Sequence, residues 1–214
     1  AVHASYLEAG ADIITTNTTC ADSLSLKAAG LESRSYELAL AGAKLAREVA
    51  AEYSTTLNPR YVAGSVGPTT RNLTLANDTS PEEVAEAYKE LLRGLIDGGV
   101  DMILVETAMD AKNVNIAIEE CRKLDAKIPI LLSAVLSRIE GRVASGATFA
   151  KFFGDIALDQ VSMVGFNCSN GVKPLESALK HLKEVTDKPV IVYPSAGEPR
   201  VAANHFVKAM EQLC

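Results

Sequence analysis

Six short apolar, β-branched runs recur along the chain: "DIITT" (12–16), "YVAGSVG" (61–67), "MILVET" (102–107), "PILLSAV" (129–135), "VSMVGFN" (161–167) and "PVIVYPS" (189–195). They are near-continuously apolar rather than alternating. That is the pattern of strands covered on both faces, as in parallel sheets wrapped by helices. Helical patterns lie between them. Residues 33–53 space Leu38, Ala41, Leu45 and Val49 at three to four residues, as an amphipathic helix does. Residues 80–99 offer Ser80 as N-cap, Pro81 at the first helical position, acidic residues in the first turn and a glycine stop. Further helices are expected over 110–124 and 173–185.

The repeated βα order predicts an α/β fold with a parallel sheet in one domain spanning residues 1–214, with no linker or low-complexity tract between parts. The chain opens inside one helical pattern, "AVHASYLEAGA", and closes inside another, "AANHFVKAMEQLC". The expected architecture is therefore a (β/α)8 TIM barrel that is incomplete, its first strand and last βα unit lying outside the sequence. A doubly wound open sheet is the rival. Polar or glycine residues stand at the carboxyl ends of nearly every strand, among them Thr16, Asn17, Gly67, Glu106, Thr107, Asn167, Cys168 and Ser195. No run is followed by GxGxxG, so the barrel is preferred, because its strand ends converge on one mouth.

A net charge of −6 and a pI near 5.2 argue against a nucleic-acid footprint. No stretch reaches the ~18 continuous apolar residues of a membrane span, and no secretory signal opens the chain. A cytoplasmic location is expected. The four cysteines, Cys20, Cys121, Cys168 and Cys214, form no CxxC pair, which disfavours a disulfide framework.

Two strand-end residues can carry chemistry. Glu106 emerges from "MILV" at the expected mouth, where it could grip a substrate ammonium, act as a base, or simply cap a helix or pair with a cation. Cys168 follows "GFN" at the same level. A thiol there is either a small core group or a metal ligand, and one cysteine does not make a zinc site, which takes three protein ligands and an open position. His3, His181 and His205 fall on expected outer helices and are excluded as ligands. The strand ends carry no lysine, which counts against a Schiff-base aldolase.

Five stretches, "YLEAGADIITTNT" (6–18), "YVAGSVGPT" (61–69), "GGVDMILVETAMDAKN" (98–113), "GFNCSNG" (165–171) and "YPSAGEP" (193–199), together resemble the homocysteine S-methyltransferases, in the same order. The resemblance is greatest to the homocysteine-binding module of cobalamin-dependent methionine synthase. It implies a barrel whose mouth holds zinc through three cysteine thiolates, with homocysteine sulfur as the fourth ligand and methionine as product. Cys168 then matches the first zinc cysteine. The other two belong to a GGCCG motif that this sequence does not reach, and Cys214 is not assigned to the metal. Glu106 matches the carboxylate that receives the homocysteine amino group. Ser195 stands where the family's PNAG turn has Asn, and Asn167 sits beside the metal ligand. Thr16 replaces a glutamate common in methionine synthases. The implied methyl donor is methylcobalamin on a separate domain or corrinoid protein, or a small methylated compound. Two other readings stand beside this one: a metal-free barrel lyase or isomerase using Glu106 as base, and a non-catalytic substrate-binding module.

Overall fold

All six apolar runs form strands, and each after the first pairs in parallel with the run before it. The computed structural model describes residues 1–75, 78–169, 171–197 and 200–213; Cys214 and residues 198–199 of "YPSAGEP" lie outside the described residues. Helix α1 (Val2–Glu8) leads into β1 (Ile13–Thr15), and α2 (Ser23–Leu26) and α3 (Ser35–Tyr53) precede β2 (Tyr61–Val66). Then come α4 (Pro81–Asp97), β3 (Met102–Ala108), α5 (Ala111–Leu124), β4 (Ile130–Val135) and α6 (Phe149–Gly154). The chain continues through β5 (Met163–Asn167), α7 (Lys173–Val185), β6 (Val190–Tyr193) and α8 (Ala203–Glu211).

The sheet order β1-β2-β3-β4-β5-β6 never reverses. A doubly wound sheet needs a reversal to create its switch point, so the open-sheet rival is excluded and the order is that of a barrel wall. Among the described residues no helix is long and apolar enough to cross a membrane.

The pleat divides the strand residues between two faces. Ile14, Val62, Val66, Ile103, Val105, Ile130, Leu132, Val164 and Phe166 join the helices in the main apolar core. Ala63, Leu104 and Leu131 form a second, smaller cluster on the inner face, flanked by Met102, Met163, Ile191 and Tyr193. The inner face also carries Gly165, paired with Ile191. A Cβ at Gly165 would run into the Ile191 carbonyl, so only glycine fits there.

The cap of α4 forms as the sequence indicates, with Ser80 Oγ accepting from the Glu83 amide at 3.3 Å and the Glu83 carboxylate accepting from the Ser80 amide at 2.9 Å. Helix α3 buries a different face from the expected one. Ala39, Ala43, Ala46 and Ala50 are buried, whereas Leu45 is 58% exposed. The reason lies on α4: a Cβ at Gly94 would stand 2.6 Å from the Tyr36 carbonyl and 2.8 Å from Ala39 Cβ, and one at Gly98 would meet Ala43. The helices approach too closely for branched side chains, so the alanine stripe wins over the leucines. Gly94→Leu is expected to cost about 2–3 kcal/mol in urea unfolding, and Leu45→Ser to stay within about 0.5 kcal/mol of the parent.

Two short helices had no sequence counterpart. In α6, Phe149 and Phe153 pack on Phe166 of β5 with ring centroids 5.1 and 6.1 Å away. The aromatic trio completed by Phe152 is buried in only six helical residues, too few to show a 3.6-residue period.

Candidate functional site

Toward the carboxyl ends of the strands the inner face turns polar, presenting Ser65 from β2, Glu106 from β3, Ser133 from β4, Asn167 from β5 and Tyr193 from β6. Strand β3 is irregular there. Val105 pairs with Leu132 and Ala108 with Ala134, so β3 spends one residue more than β4 between those pairs. This β-bulge puts Thr107 at φ 56, a left-handed conformation that costs a β-branched residue about 1–3 kcal/mol. Two successive side chains, Glu106 and Thr107, consequently bond inner-face partners.

Glu106 is held by three hydroxyls. Ser65 donates to Oε1, Thr19 donates to the same oxygen at 3.0 Å, and Tyr193 donates to Oε2 at 3.1 Å. Burial, then the neighbouring Glu106 charge, pushes the Tyr193 phenol well above its ordinary range, so it stays a donor. Among the described residues no Lys, Arg or His forms an ion pair with Glu106. The carboxylate is only half-buried and keeps acceptor capacity on Oε2.

The "TTNT" stretch explains how Ser65 is set. Thr16 Oγ1 accepts from the Ser65 amide at 2.9 Å, and Thr18 Oγ1 donates to the Ser65 carbonyl at 2.7 Å. Thr19 follows, its carbonyl accepting from the Gly67 amide at 3.1 Å. A Cβ at Gly67 would collide with that carbonyl, which accounts for glycine in "SVGPT". Beside this cradle lies a small cleft of about 30 Å³ lined by Gly67, Pro68, Thr69, Asp110 and Asn113. Asn113 Nδ2 donates to the Arg71 carbonyl at 2.9 Å, and Asp110 accepts from the Thr74 amide at 2.7 Å, tying the loop after β2 to the start of α5.

On the other side, Asn167 is fully buried. Its Oδ1 accepts from the Thr107 amide and from Ser133 Oγ, both at 2.9 Å. Its Nδ2 donates to Thr107 Oγ1 at 2.8 Å and to Cys168 Sγ at 3.2 Å. Cys168 itself is exposed and also left-handed, at φ 50. Ser195 Oγ donates to the Ser169 carbonyl at 2.6 Å, joining the loops after β5 and β6.

The structure thus brings Glu106, Asn167 and Cys168 to one end of the sheet, with Thr107 bonded to Asn167 between them, while the Ser195 hydroxyl serves the loop contact. Thr19, Ser65, Ser133 and Tyr193 are the participants the sequence reading did not name, and Thr107 was named there only as a strand-end residue. The available signal was small: hydroxyl residues at or just beyond the ends of apolar runs.

The other cysteines lie elsewhere. Cys121 is buried on α5, where burial pushes its thiol up to about 11, and Cys20 is exposed beyond β1. Iodoacetamide near neutral pH should label Cys20 and Cys168 and spare Cys121, as read by peptide mass spectrometry. The three histidines stay outside the strand-end set: His3 Nε2 meets the Thr15 carbonyl at 3.0 Å, His181 packs on Phe149, and His205 lies on α8. The implied zinc can be tested against these residues. Among the described residues no three His, Cys, Asp or Glu side chains stand close enough to hold an ion. Cys168 is one candidate thiolate, and the described residues do not by themselves make a zinc site.

Comparison with known proteins bears on the whole chain. Three solved forms of the homocysteine methyltransferase MmuM from Escherichia coli share the fold. The metallated form is 24% identical with a TM-score of 0.79, covering 99% of this chain and 75% of that one. The oxidized form is 26% identical with a TM-score of 0.78, covering 92% and 70%. The apo form is 23% identical with a TM-score of 0.76, covering 99% and 74%. Residues 1–213 match the family model described as Homocysteine S-methyltransferase. A match of that extent places the chain in a family as well as a fold: it belongs to the homocysteine S-methyltransferases.

Proposed function

We propose that the chain transfers a methyl group to the thiol of homocysteine, giving methionine. Glu106 receives the substrate ammonium, Cys168 lies toward the thiol end, Asn167 braces the two, and the Ser195 turn walls the amino-acid pocket. The observation that carries this reading is the Glu106 carboxylate, which is fixed by Thr19, Ser65 and Tyr193 yet has no cationic partner among the described residues. A half-buried anion fixed in this way is complementary to a ligand cation able to donate to Oε2.

In the reaction the substrate loses its thiol proton, a sulfur–carbon bond forms, and the donor–methyl bond breaks with its electron pair leaving on the donor. A free thiol of pKa ~8.5 is mostly protonated at neutral pH, so ionisation is the chemical demand on the site. Zinc dependence and a methylcobalamin donor on a separate domain or protein form the finer part of the proposal. Cys168 offers one thiolate, and ligands from outside the described residues have to complete the set.

A non-catalytic amino-acid-binding module is the second reading, favoured by the lone thiolate among the described residues. A lyase or isomerase with Glu106 as base draws less support, because hydroxyl donors on both oxygens suit a charge acceptor. The test is calorimetric titration of the 214-residue chain with L-homocysteine, beside zinc analysis and a methylcobalamin turnover assay. Saturable homocysteine binding is expected, with less than one zinc retained per chain after desalting. Absence of binding removes the proposal, and turnover in zinc-supplemented buffer excludes the module.

A further inference from the structure

We propose that Asn167 is a positioning residue that aims Glu106 by holding Thr107 in its left-handed bulge; the inference rests on the homocysteine reading above. A β-branched residue does not stay at φ 56 unaided, because its side chain crowds the backbone there. Asn167 grips two polar groups of that residue, accepting from the Thr107 amide on Oδ1 and donating from Nδ2 to the Thr107 hydroxyl. The Ser133 hydroxyl donates to the same Oδ1 and fixes the amide orientation from β4. With Cys168 Sγ as the fourth partner, two acceptor and two donor positions are all in use. A fully buried amide without spare hydrogen-bonding capacity braces the site without contacting the ligand. What it braces is the bulge itself, where Glu106 and Thr107 together stand against the single β4 residue Ser133. Release of Thr107 lets the bulge relax and loosens the aim of its neighbour Glu106 at Ser65, Thr19 and Tyr193.

The experiment measures affinity for L-homocysteine and for L-2-aminobutyrate, which keeps the amino-acid end and lacks the thiol, so no metal enters the second readout. Asn167→Ala is expected to weaken both by ~10-fold or more, the loss associated with a broken buried hydrogen-bond network. Glycine takes positive φ without strain, so Asn167→Ala/Thr107→Gly should return 2-aminobutyrate affinity to within ~3-fold of the parent. That rescue separates aiming from general stability. Circular dichroism confirms that each variant is folded. If Asn167→Ala does not fold, Thr107→Val and Thr107→Gly are compared with Asn167 intact, valine weakening binding by ~10-fold and glycine sparing it. The inference is overturned if Asn167→Ala binds like the parent, if the double variant is no tighter than the single, or if valine and glycine at 107 behave alike. Parent binding that is lost in Glu106→Gln yet kept in Asn167→Ala removes this inference and leaves the homocysteine reading standing. No parent binding at all removes both.

Discussion

Glu106→Gln is expected to lower homocysteine affinity roughly a hundredfold, about 2.8 kcal/mol at ~1.4 kcal/mol per decade. Glutamine has the shape of glutamate, so its carbonyl can still accept from Ser65 and Thr19, and its amide can donate to the Tyr193 oxygen. The fold around the strand ends is therefore retained, and Tm should move by no more than about 2 °C. What disappears is the negative charge facing the ligand, together with an acceptor on the second oxygen. A loss confined to affinity, measured by calorimetry on a variant with parental circular dichroism, identifies Glu106 as the ammonium receptor. Parental affinity would show that the substrate amino group is held elsewhere.

Gly165→Ala carries the largest expected stability effect, about 3 kcal/mol or more, or roughly 6–12 °C in Tm. The added methyl meets the Ile191 carbonyl, a backbone atom that no rotamer change can move aside. Strands β5 and β6 must part locally, and with them the ends that carry Asn167 and Tyr193. Gly154→Ala is the control: nothing lies within 4 Å of a Cβ built there, and the position ends α6 at ordinary φ. Urea unfolding of the two variants should differ by nearly the whole predicted amount.

The strands were legible because each is an apolar run bounded by turn residues, and Ser80 and Pro81 announced the start of α4. Glu106 and Cys168 were legible as polar endings to such runs. The cradle around Glu106 was not, since Thr19 and Tyr193 each stand 87 residues away in the chain and meet only through the strand order. Nor was the bulge, because a threonine at positive φ leaves no compositional trace where a glycine would have. Helix α3 misled for a related reason: its leucines set the visible stripe, but the partner surface is made by Gly94 and Gly98, and a close crossing selects for smallness over hydrophobicity.

The two faces of the sheet have a consequence for how such a chain can change over evolutionary time. Nearly all the greasy packing lies outward, against the helices, whereas Ser65, Ser133 and Tyr193 project from the opposite side, at the strand tips. Mutations at those tips can explore new ligands while leaving the main apolar core almost untouched, so one scaffold can diversify its chemistry without first becoming more robust.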